Sequence, residues 1–447
     1  MTIGLVPPIV MLGLPYTMVR FLAGAKTREE KQEGYYSIAG ITIITTGLAT
    51  VTLFILAEPI ATILFDDRTI VTQILALVVF LECMNLLQFN YFRTFQQIKR
   101  YSSLLFCKTC LQLVLVGGLV LTGYGIFGAV IGLFISNLIL MLIMGALIVS
   151  GIGVAIPKFT HLREYLYFGL PTMPGNFSSW VVNSSDRYMI AIFLGAAYVG
   201  YYAPGYALGN IISIFIAPLT FMLPAVLSKY YDENNLQGVQ TILQHSLKYF
   251  LMLAVPSFVG LSILSKPILT IISTPDIASN GYLITPFTAL SSLFFGFYAI
   301  IVQILYLEKN TIITAKIWIG AAIINFVLNI IAIPLMGIVG AAITTLVSFM
   351  FSLGIVLFYM KTQSRINIFN NLNKTIFRIG IASVGMIPII LILQPSGILP
   401  IMLNIVLSGI IYFVLLFIFK EITKQEIDFF KNMIHPTIRI KNPLMKQ

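Results

Sequence analysis

The sequence predicts an all-α membrane protein that crosses the bilayer many times. Hydrophobic residues make up 58% of the 447 residues and charged residues only 10%, and the mean hydropathy is +0.95. Apolar runs of about 20 residues, each long enough to cross a hydrocarbon core of ~30 Å, recur from one end of the chain to the other. No stretch between them is long enough for a sizeable water-soluble domain. A soluble globular protein is therefore excluded.

Thirteen transmembrane helices are predicted from these runs. In chain order they cover residues 3–24, 37–57, 70–92, 103–122, 126–149, 165–195, 204–228, 246–272, 281–306, 313–334, 338–360, 375–394 and 398–419. The run at 165–195 is too long for one perpendicular span, and Pro171 and Pro174 predict a bend or an interfacial segment at its start. The span itself is therefore expected to begin near Met173.

Lys and Arg are distributed unevenly among the connections between these runs. All but three of the 27 basic residues fall on one side of the predicted topology, the exceptions being Arg68, Arg187 and Lys266. The positive-inside rule assigns that side to the cytoplasm, and an odd number of spans then predicts an external N-terminus and a cytoplasmic C-terminus. The net charge of +11 is thus explained by topology and does not indicate a nucleic-acid partner.

Two halves of the chain are similar in sequence. Three segments recur in the same order, pairing residues 123–136 with 335–348, 57–65 with 265–273 and, more loosely, 13–22 with 221–230. The spacing predicts parallel repeats related by an axis along the membrane normal, an arrangement found in transporters with a substrate site at the repeat interface. The predicted organisation is an N-terminal lobe of five helices (1–150), a C-terminal lobe of six helices (151–362), two additional helices (363–420) and a cytoplasmic amphipathic tail (421–447).

Three stretches of the chain resemble one family of membrane proteins. Residues 323–349 have Asn325 and Asn329 four residues apart, then Pro334 and a Gly- and Ala-rich run. In this pattern they resemble the multidrug/oligosaccharidyl-lipid/polysaccharide exporter superfamily. The stretch DRYMIAIFLGAAYVGYYAPGYALGN (186–210) and the amphipathic KEITKQEIDFFKNMI (420–434) resemble its Wzx-type polysaccharide flippase branch.

This resemblance implies a fold and a function. The fold would be MATE-like, with two helix bundles and two further helices. The function would be transport of a polyprenyl-phosphate-linked oligosaccharide across the cytoplasmic membrane of a prokaryote by alternating access. The implied partners are membrane lipids, H⁺ or Na⁺ as a coupling ion, and a polysaccharide polymerase or glycosyltransferases. One departure from the family is expected: residues 1–24 resemble its second helix, so the first helix has no counterpart in this sequence.

Two other functions remain open from the sequence. A cation-coupled multidrug exporter of the same fold would favour a cavity dominated by carboxylates and aromatic rings. A non-transporting scaffold of a polysaccharide assembly complex is suggested by the missing helix. Enzymatic function, a metal site and a cofactor are not expected, because His161, His245 and His435 lie far apart and no catalytic motif is found. The three cysteines are interpreted as free thiols.

Arg187 is the main candidate for binding substrate in the membrane. Its planar guanidinium suits phosphate oxygens and keeps its charge in a low dielectric. It follows Asp186, and adjacent side chains on a helix do not face each other, so the two are not expected to neutralise one another. We expect the pair to line a water-filled cationic cavity, with Asp186 orienting Arg187 or titrating as a coupling residue. The alternatives are that Arg187 snorkels to the outer headgroups and that Asp186 bonds a backbone or Asn group.

The remaining polar residues in the predicted spans have similar alternatives. Further cavity candidates are Asn183, Asn210, Tyr202, Tyr206 and Arg20. The two tyrosines could stack on sugar rings or belong to an interfacial aromatic belt, and Arg20 could snorkel to the inner surface. Glu82, at mid-span, is a coupling candidate if protonated, or it forms a helix–helix hydrogen bond. Asn325 and Asn329 are expected to bond across helices.

Overall fold

The computed structural model describes residues 2–25, 27–64, 68–308, 310–363, 366, 372–393 and 397–421. Within these residues the secondary structure is helical, without a strand. The α-helices are α1 (Thr2–Val10), α2 (Leu14–Leu22), α3 (Arg28–Ile55), α4 (Ala57–Leu64), α5 (Thr69–Thr94), α6 (Ile98–Leu119), α7 (Gly125–Ile152), α8 (Leu162–Gly169), α9 (Met173–Leu194), α10 (Ala196–Gly209), α11 (Ser213–Asp232), α12 (Leu236–Ile272), α13 (Pro275–Gly281), α14 (Ile284–Ile301), α15 (Gln303–Leu307), α16 (Thr311–Met336), α17 (Ile338–Thr362), α18 (Leu372–Gly385), α19 (Ile387–Leu393) and α20 (Ile398–Ile418).

The all-α, polytopic membrane fold is confirmed. Ten helices in the described part are long and apolar enough to span a membrane, and the pair α1 and α2, bent by 56°, would make an eleventh. The predicted count of thirteen is higher for two reasons. The helix Ile98–Ile152 counts once although it covers two predicted spans, which meet at the left-handed Gly123 and Gly125 (φ 94° and 53°). Helix α9 is not among the ten, because its polar residues lower its mean hydropathy.

The chain divides into two compact units, of which the first comprises Met1–Ala196 and Trp318–Phe326. Its central helix, α5, packs against α1, α2, α3, α4, α6 and α7. The core between these helices is apolar, with Met18, Ile38, Leu87 and Leu140 almost completely buried. Because α5 is covered on several sides, more of it is buried than of α6, whose only buried residue is Leu104.

Two glycines allow α2 and α8 of the first unit to approach closely. Gly13 joins α1 to α2 in a left-handed conformation (φ 71°), and a Cβ atom there would lie 2.2 Å from the carbonyl oxygen of Gly169. A Cβ atom on Gly169 would in turn lie 2.5 Å from the Leu12 carbonyl oxygen. Only glycine fits such an approach, since a larger residue at position 13 would be strained as well as crowded. This contact fixes the end of α8, from which α9 continues along α1.

The connection from α7 to α8, residues 153–161, is held along α3 by hydrogen bonds. Arg28 Nε donates to the Ile152 carbonyl (2.7 Å), and the Tyr36 hydroxyl donates to the Gly153 carbonyl (2.6 Å). Two further bonds join Phe159 N to Ser37 Oγ (3.2 Å) and Thr160 Oγ1 to Glu33 Oε1 (2.9 Å). The connection is therefore fixed to the first unit along most of its length.

The second unit comprises Ala197–Ile317 and Val327–Gln447. Helix α14 packs against α17, α12 and α11. The helices near the C-terminus pack on α12, where the buried Tyr412 hydroxyl donates to the Met252 carbonyl (2.8 Å). At the end of α20, the buried carboxylate of Glu421 accepts from Thr375 Oγ1 (2.8 Å) and Arg378 Nη1 (3.1 Å). These contacts tie α12, α18 and α20 together.

The compact units and the predicted lobes are drawn on different criteria. The units follow contacts and divide the chain after Ala196, whereas the lobes follow sequence repeats and divide it at 150 and 151. The difference concerns α8 and α9, which belong to the second repeat but contact α1, α2 and α3. The repeat-based division stays a prediction. The predicted amphipathic tail, 421–447, lies outside the described residues except for Glu421.

Candidate functional site

Helix α9 has two faces of different character. Its packed face is buried and consists of Ser178, Val182, Ser185, Asp186, Met189 and Ile190. The opposite face, by helical periodicity, carries Asn176, Phe177, Trp180, Asn183, Ser184, Arg187 and Tyr188, all partly exposed. We call this second set the polar–aromatic face. Between Asn176 and Tyr188 it has no aliphatic side chain, although Ala191 and Leu194 continue the same face toward the end of α9. By contrast, the large exposed side chains of α20 are Ile, Leu, Val, Met and Phe, as expected for contact with lipid. The polar–aromatic face therefore suits an aqueous space better than lipid.

Arg187 extends back along α9 on the polar–aromatic face. Its Nη1 atom donates to the Asn183 carbonyl oxygen (3.0 Å), one helical turn earlier. This direction is the usual one for long side chains on a helix, which point toward its N-terminus. The guanidinium therefore lies level with Asn183, and 19% of the Arg187 side chain is exposed.

Asp186 lies on the packed face and is completely buried. Its Oδ1 atom accepts from the backbone N–H of Arg187 (2.8 Å) and lies 3.9 Å from Arg187 Nη1. The expectation that the two side chains do not approach each other is thus wrong in part: they come within ion-pair range. The 3.9 Å separation is nevertheless too long for a hydrogen bond. The Asp186 carboxylate therefore attracts the Arg187 guanidinium electrostatically, but its Oδ1 atom does not accept a hydrogen bond from Arg187 Nη1.

The amide side chains around this pair bond to nearby helices and to α9 itself. Asn183 Nδ2 donates to the Ser179 carbonyl (2.7 Å). The Ser185 hydroxyl donates to Asn325 Oδ1 (3.3 Å), so α9 is joined to the part of α16 that belongs to the first unit. In the second unit, Asn329 Oδ1 accepts from the Thr344 hydroxyl of α17 (2.5 Å). The prediction that Asn325 and Asn329 bond across helices is confirmed.

Three aromatic rings beside Arg187 were not identified from the sequence. The rings of Phe177 and Trp180 are stacked, with centroids 6.1 Å apart and planes at 19°. Tyr188 lies against the indole, with centroids 5.7 Å apart and planes at 59°. The spacing of three and eight residues along α9 was the available signal, since it places all three on the helix face that carries Arg187. Phe177 is 40% exposed, so the stack is open at its Phe177 end.

The other predicted cavity residues are placed in different surroundings. In the second unit Tyr202 is fully buried and its ring centroid lies 5.6 Å from that of Tyr206, so the Tyr202 ring offers no open face in this conformation. Asn210 Oδ1 accepts from the hydroxyls of Ser213 (2.7 Å) and Ser292 (3.3 Å). Arg20 is exposed in the last turn of α2 in the first unit. This position at a helix end fits snorkelling to the surface.

Glu82 forms an ion pair inside the first unit. Lys108 Nζ donates to both of its carboxylate oxygens (2.7 and 2.8 Å), and only 14–15% of either side chain is exposed. Of the two interpretations of Glu82, the helix–helix hydrogen bond is therefore present, with a charged partner. Lys108 was counted among the cytoplasmic cations, and that placement is wrong because it lies well inside α6. The antiparallel register of α5 and α6 could have revealed it, since both residues are nearly equidistant from the turn between the helices.

Polar side chains continue along α5 from this ion pair. Asn85, one turn from Glu82, donates to the Asn137 carbonyl (3.1 Å) and to Asn137 Oδ1 (2.9 Å), and both asparagines are buried. The Asn85 Oδ1 and Gln88 Oε1 atoms are buried without a hydrogen-bond partner among the described residues. Within those residues there is no group of three or more His, Cys, Asp or Glu side chains that could hold a metal ion.

Comparison with known families identifies the chain. The family model described as "Polysaccharide biosynthesis protein" matches residues 22–276, more than half of the sequence. The chain belongs to this family. The matched range contains α9 with Asp186 and Arg187, and it also contains Glu82 and Lys108. The resemblance of the sequence to the multidrug/oligosaccharidyl-lipid/polysaccharide exporter superfamily is thereby confirmed.

Curated relatives of this family member are named as flippases. The probable low-salt glycan biosynthesis flippase Agl15 of Haloferax volcanii is 25% identical over 197 residues, 43% of this chain and 41% of the relative. The probable lipid II flippase MurJ of Rickettsia prowazekii is 29% identical over 154 residues, 33% of this chain and 30% of the relative. The chain thus aligns with less than half the length of each of these relatives.

Solved structures with the same fold include flippases and drug transporters. The lipid II flippase MurJ in its inward closed conformation has a TM-score of 0.75 and 18% identity, covering 94% of this chain and 91% of that chain. An inward-facing multidrug resistance MATE family transporter has a TM-score of 0.66 and 14% identity, covering 81% and 89%. At these identities the likeness shows the fold alone, which is the MATE-like fold predicted.

Proposed function

We propose that the chain is a transporter that flips a polyprenyl-phosphate-linked oligosaccharide across the cytoplasmic membrane by alternating access. Its family membership and the flippase names of the curated relatives support this class of substrate. The multi-pass helical architecture supports a transport role over an enzymatic one.

The observation that carries the proposal is the placement of Arg187. A charged residue within a membrane span costs roughly 2.5–3.5 kcal/mol on insertion scales, so such residues are retained mainly where they face a cavity and serve a function. Here the guanidinium lies on the polar–aromatic face of α9, partly exposed, with Asp186 3.9 Å behind it. A guanidinium binds a phosphate through two parallel N–H···O bonds, which matches the one charged group that every polyprenyl-phosphate-linked glycan carries.

The coupling ion and the partners belong to the same proposal. The Glu82–Lys108 pair is the candidate coupling element, with H⁺ or Na⁺ as the ion. If the two side chains separate during transport, the buried Glu82 carboxylate is left without its partner, and binding of H⁺ or Na⁺ would offset its charge. We further propose a cytoplasmic C-terminus, on the basis of the Lys and Arg distribution, and assembly with a polysaccharide polymerase or glycosyltransferases.

The two other functions have less support. A cation-coupled exporter of cationic drugs needs a net negative site, whereas the candidate site pairs Asp186 with Arg187. The likeness to MATE transporters shows fold and does not favour this function. A scaffold would have no need for a partly exposed Arg within a membrane helix.

Flipping of a defined lipid tests the proposal. Purified protein is reconstituted into liposomes that contain a polyprenyl phosphate carrying one fluorescent sugar, and a membrane-impermeant quencher reports the fraction that reaches the outer leaflet. We expect transfer by the wild-type protein and loss of transfer in Arg187→Ala. Transfer of a cationic dye in place of the lipid would support the exporter instead, and transfer of neither would leave only the scaffold.

A further inference from the structure

We propose that Phe177, Trp180 and Tyr188, which we call the aromatic stack, bind the sugar next to the phosphate while Arg187 binds the phosphate itself. This inference rests on the proposed function and names which part of the substrate each side chain recognises. A sugar ring offers C–H groups on its two faces and hydroxyl groups around its edge. An aromatic ring beside amide and guanidinium donors matches both features.

The spacing along α9 fits a sugar attached directly to a phosphate. The guanidinium of Arg187 lies level with Asn183, because its Nη1 atom donates to the Asn183 carbonyl (3.0 Å). Phe177, the open end of the stack, precedes Asn183 by six residues, which corresponds to roughly 9 Å along the helix axis. A sugar ring attached directly to a phosphate on the guanidinium fits in a gap of this size, because the sugar and the Phe177 ring pack at a van der Waals separation of about 4 Å. One substrate could therefore contact the cation and the stack together.

The aromatic stack is built to remain in one arrangement. The Phe177 and Trp180 rings are nearly parallel at 19°, and the Tyr188 ring lies 5.7 Å from the indole with its plane at 59°. On the side of α1, a Cβ atom on Gly4 would lie 3.4 Å from Trp180 Nε1, so α1 limits movement of the indole. The open end of the stack is Phe177, which is 40% exposed. A ring held in place loses little conformational entropy when a ligand stacks on it.

Contact with lipid is the competing explanation for these rings, and the same helix provides its comparison. Phe193, at the other end of α9, is 45% exposed and stands beside Ile192, which is 65% exposed. That environment is aliphatic, as expected for lipid contact. Phe177 has nearly the same exposure but shares its face with Asn183 and Arg187. The two phenylalanines therefore form a matched pair for experiment.

Binding of two lipids distinguishes sugar recognition from phosphate recognition. Titration calorimetry in detergent compares a polyprenyl phosphate with the same lipid carrying one hexose. We expect the wild-type protein to bind the hexose-bearing lipid about fivefold to tenfold more tightly, the range that a stacking contact supplies. Phe177→Leu and Trp180→Leu should reduce this preference to near unity while retaining affinity for the bare phosphate, whereas Phe193→Leu should retain the preference. Trp180→Phe should preserve part of the preference for the hexose-bearing lipid, because an aromatic ring remains at position 180.

Fluorescence provides a second measurement on the same question. The chain has two tryptophans, so Trp318→Phe leaves Trp180 as the only indole. Its emission should change on addition of the hexose-bearing lipid and much less on addition of the bare lipid.

The outcomes separate this inference from the proposed function. Equal binding of the two lipids, or equal loss of preference in Phe177→Leu and Phe193→Leu, would overturn sugar recognition by the stack and leave phosphate binding intact. Failure of the wild-type protein to bind either lipid would overturn both proposals.

Discussion

Lys108 Nζ lies 2.7 Å from Glu82 Oε1, and this ion pair joins α6 to α5 in the interior of two membrane-spanning helices. Lys108 is otherwise on a helix with few buried residues. The Lys108 ammonium can lie inside the helix bundle because the Glu82 carboxylate offsets its charge. The Glu82 carboxylate can lie there because the ammonium offsets its own charge.

The first prediction is that either member of this pair is costly to remove alone. Glu82→Gln and Lys108→Met should each lower the free energy of unfolding by about 3 kcal/mol, because each leaves a single buried charge. The double substitution should recover most of that loss. Thermal unfolding of the purified protein in detergent checks both statements. Full stability of Glu82→Gln on its own would show that the pair is not charged.

The double substitution also tests the coupling role of this pair. If the pair exchanges H⁺ or Na⁺ during transport, the double variant should be stable and yet lose the dependence of its transport rate on that ion gradient. Unchanged dependence on pH and on Na⁺ would assign the pair to packing alone.

The second prediction concerns Arg187 in cells. Arg187→Ala should abolish complementation of a flippase-deficient strain while leaving the amount of protein in the membrane largely unchanged. Arg187→Lys should retain part of the activity, since the ammonium keeps the charge but loses the planar fork of donors. Arg163→Ala serves as the control, because Arg163 is exposed on α8 in the same unit.

A purely structural Arg187 would behave differently. The double variant Asp186→Asn, Arg187→Gln removes both charges while keeping side chains of similar size. Restored complementation in this variant would contradict phosphate binding, because no cation would remain at the site.

The third prediction concerns the close approach of α2 and α8. Gly13→Ala places a Cβ atom 2.2 Å from the Gly169 carbonyl oxygen in a backbone conformation with φ 71°. We expect the free energy of unfolding to fall by about 3 kcal/mol, because the backbone strain and the steric overlap add. Gly24→Ala is the matched control, because a Cβ atom there would meet nothing within 4 Å. Similar unfolding temperatures for the two variants would contradict the close approach.

The fourth prediction concerns topology. In a variant without the three native cysteines, single cysteines at Lys31, Arg100 and Gln363 should react only with reagents that reach the cytoplasm. Cysteines at Asp67 and Ser396 should react from outside and one at Lys441 from the cytoplasm, although these three positions lie outside the described residues. Labelling of Asp67 and Gln363 from the same side would contradict the thirteen-span topology.

Hydropathy made the helical architecture predictable because each span must bury its backbone hydrogen bonds within one helix. It did not reveal which helices touch. Periodicity places Asp186 and Arg187 on different sides of α9. The packing of α1 along α9 depends on the contact between Gly13 and Gly169, which are far apart in the chain, so periodicity does not predict it. The pairing of Lys108 with Glu82 was missed because Lys108 was counted with the cytoplasmic basic residues on the basis of its charge alone. The burial of Tyr202 follows from packing between helices, which its sequence neighbours do not determine.

The bonded connection between α7 and α8 determines where this chain can be divided. A cut between the two sequence repeats would fall in residues 153–161. That cut would interrupt the segment to which α3 is hydrogen-bonded. It would also place α8 and α9 on a different polypeptide from α1 and α2, against which they pack. Two fragments that meet at Gly195, which has a φ of 103° at the end of α9, would keep the contacts of α8 and α9 with α1, α2 and α3 within one polypeptide. Beyond the junction itself, only residues 318–326 of the first unit, which include Asn325, would lie on the other fragment. Co-expression of fragments cut at Gly195 should therefore yield active protein where fragments cut at residues 153–161 do not.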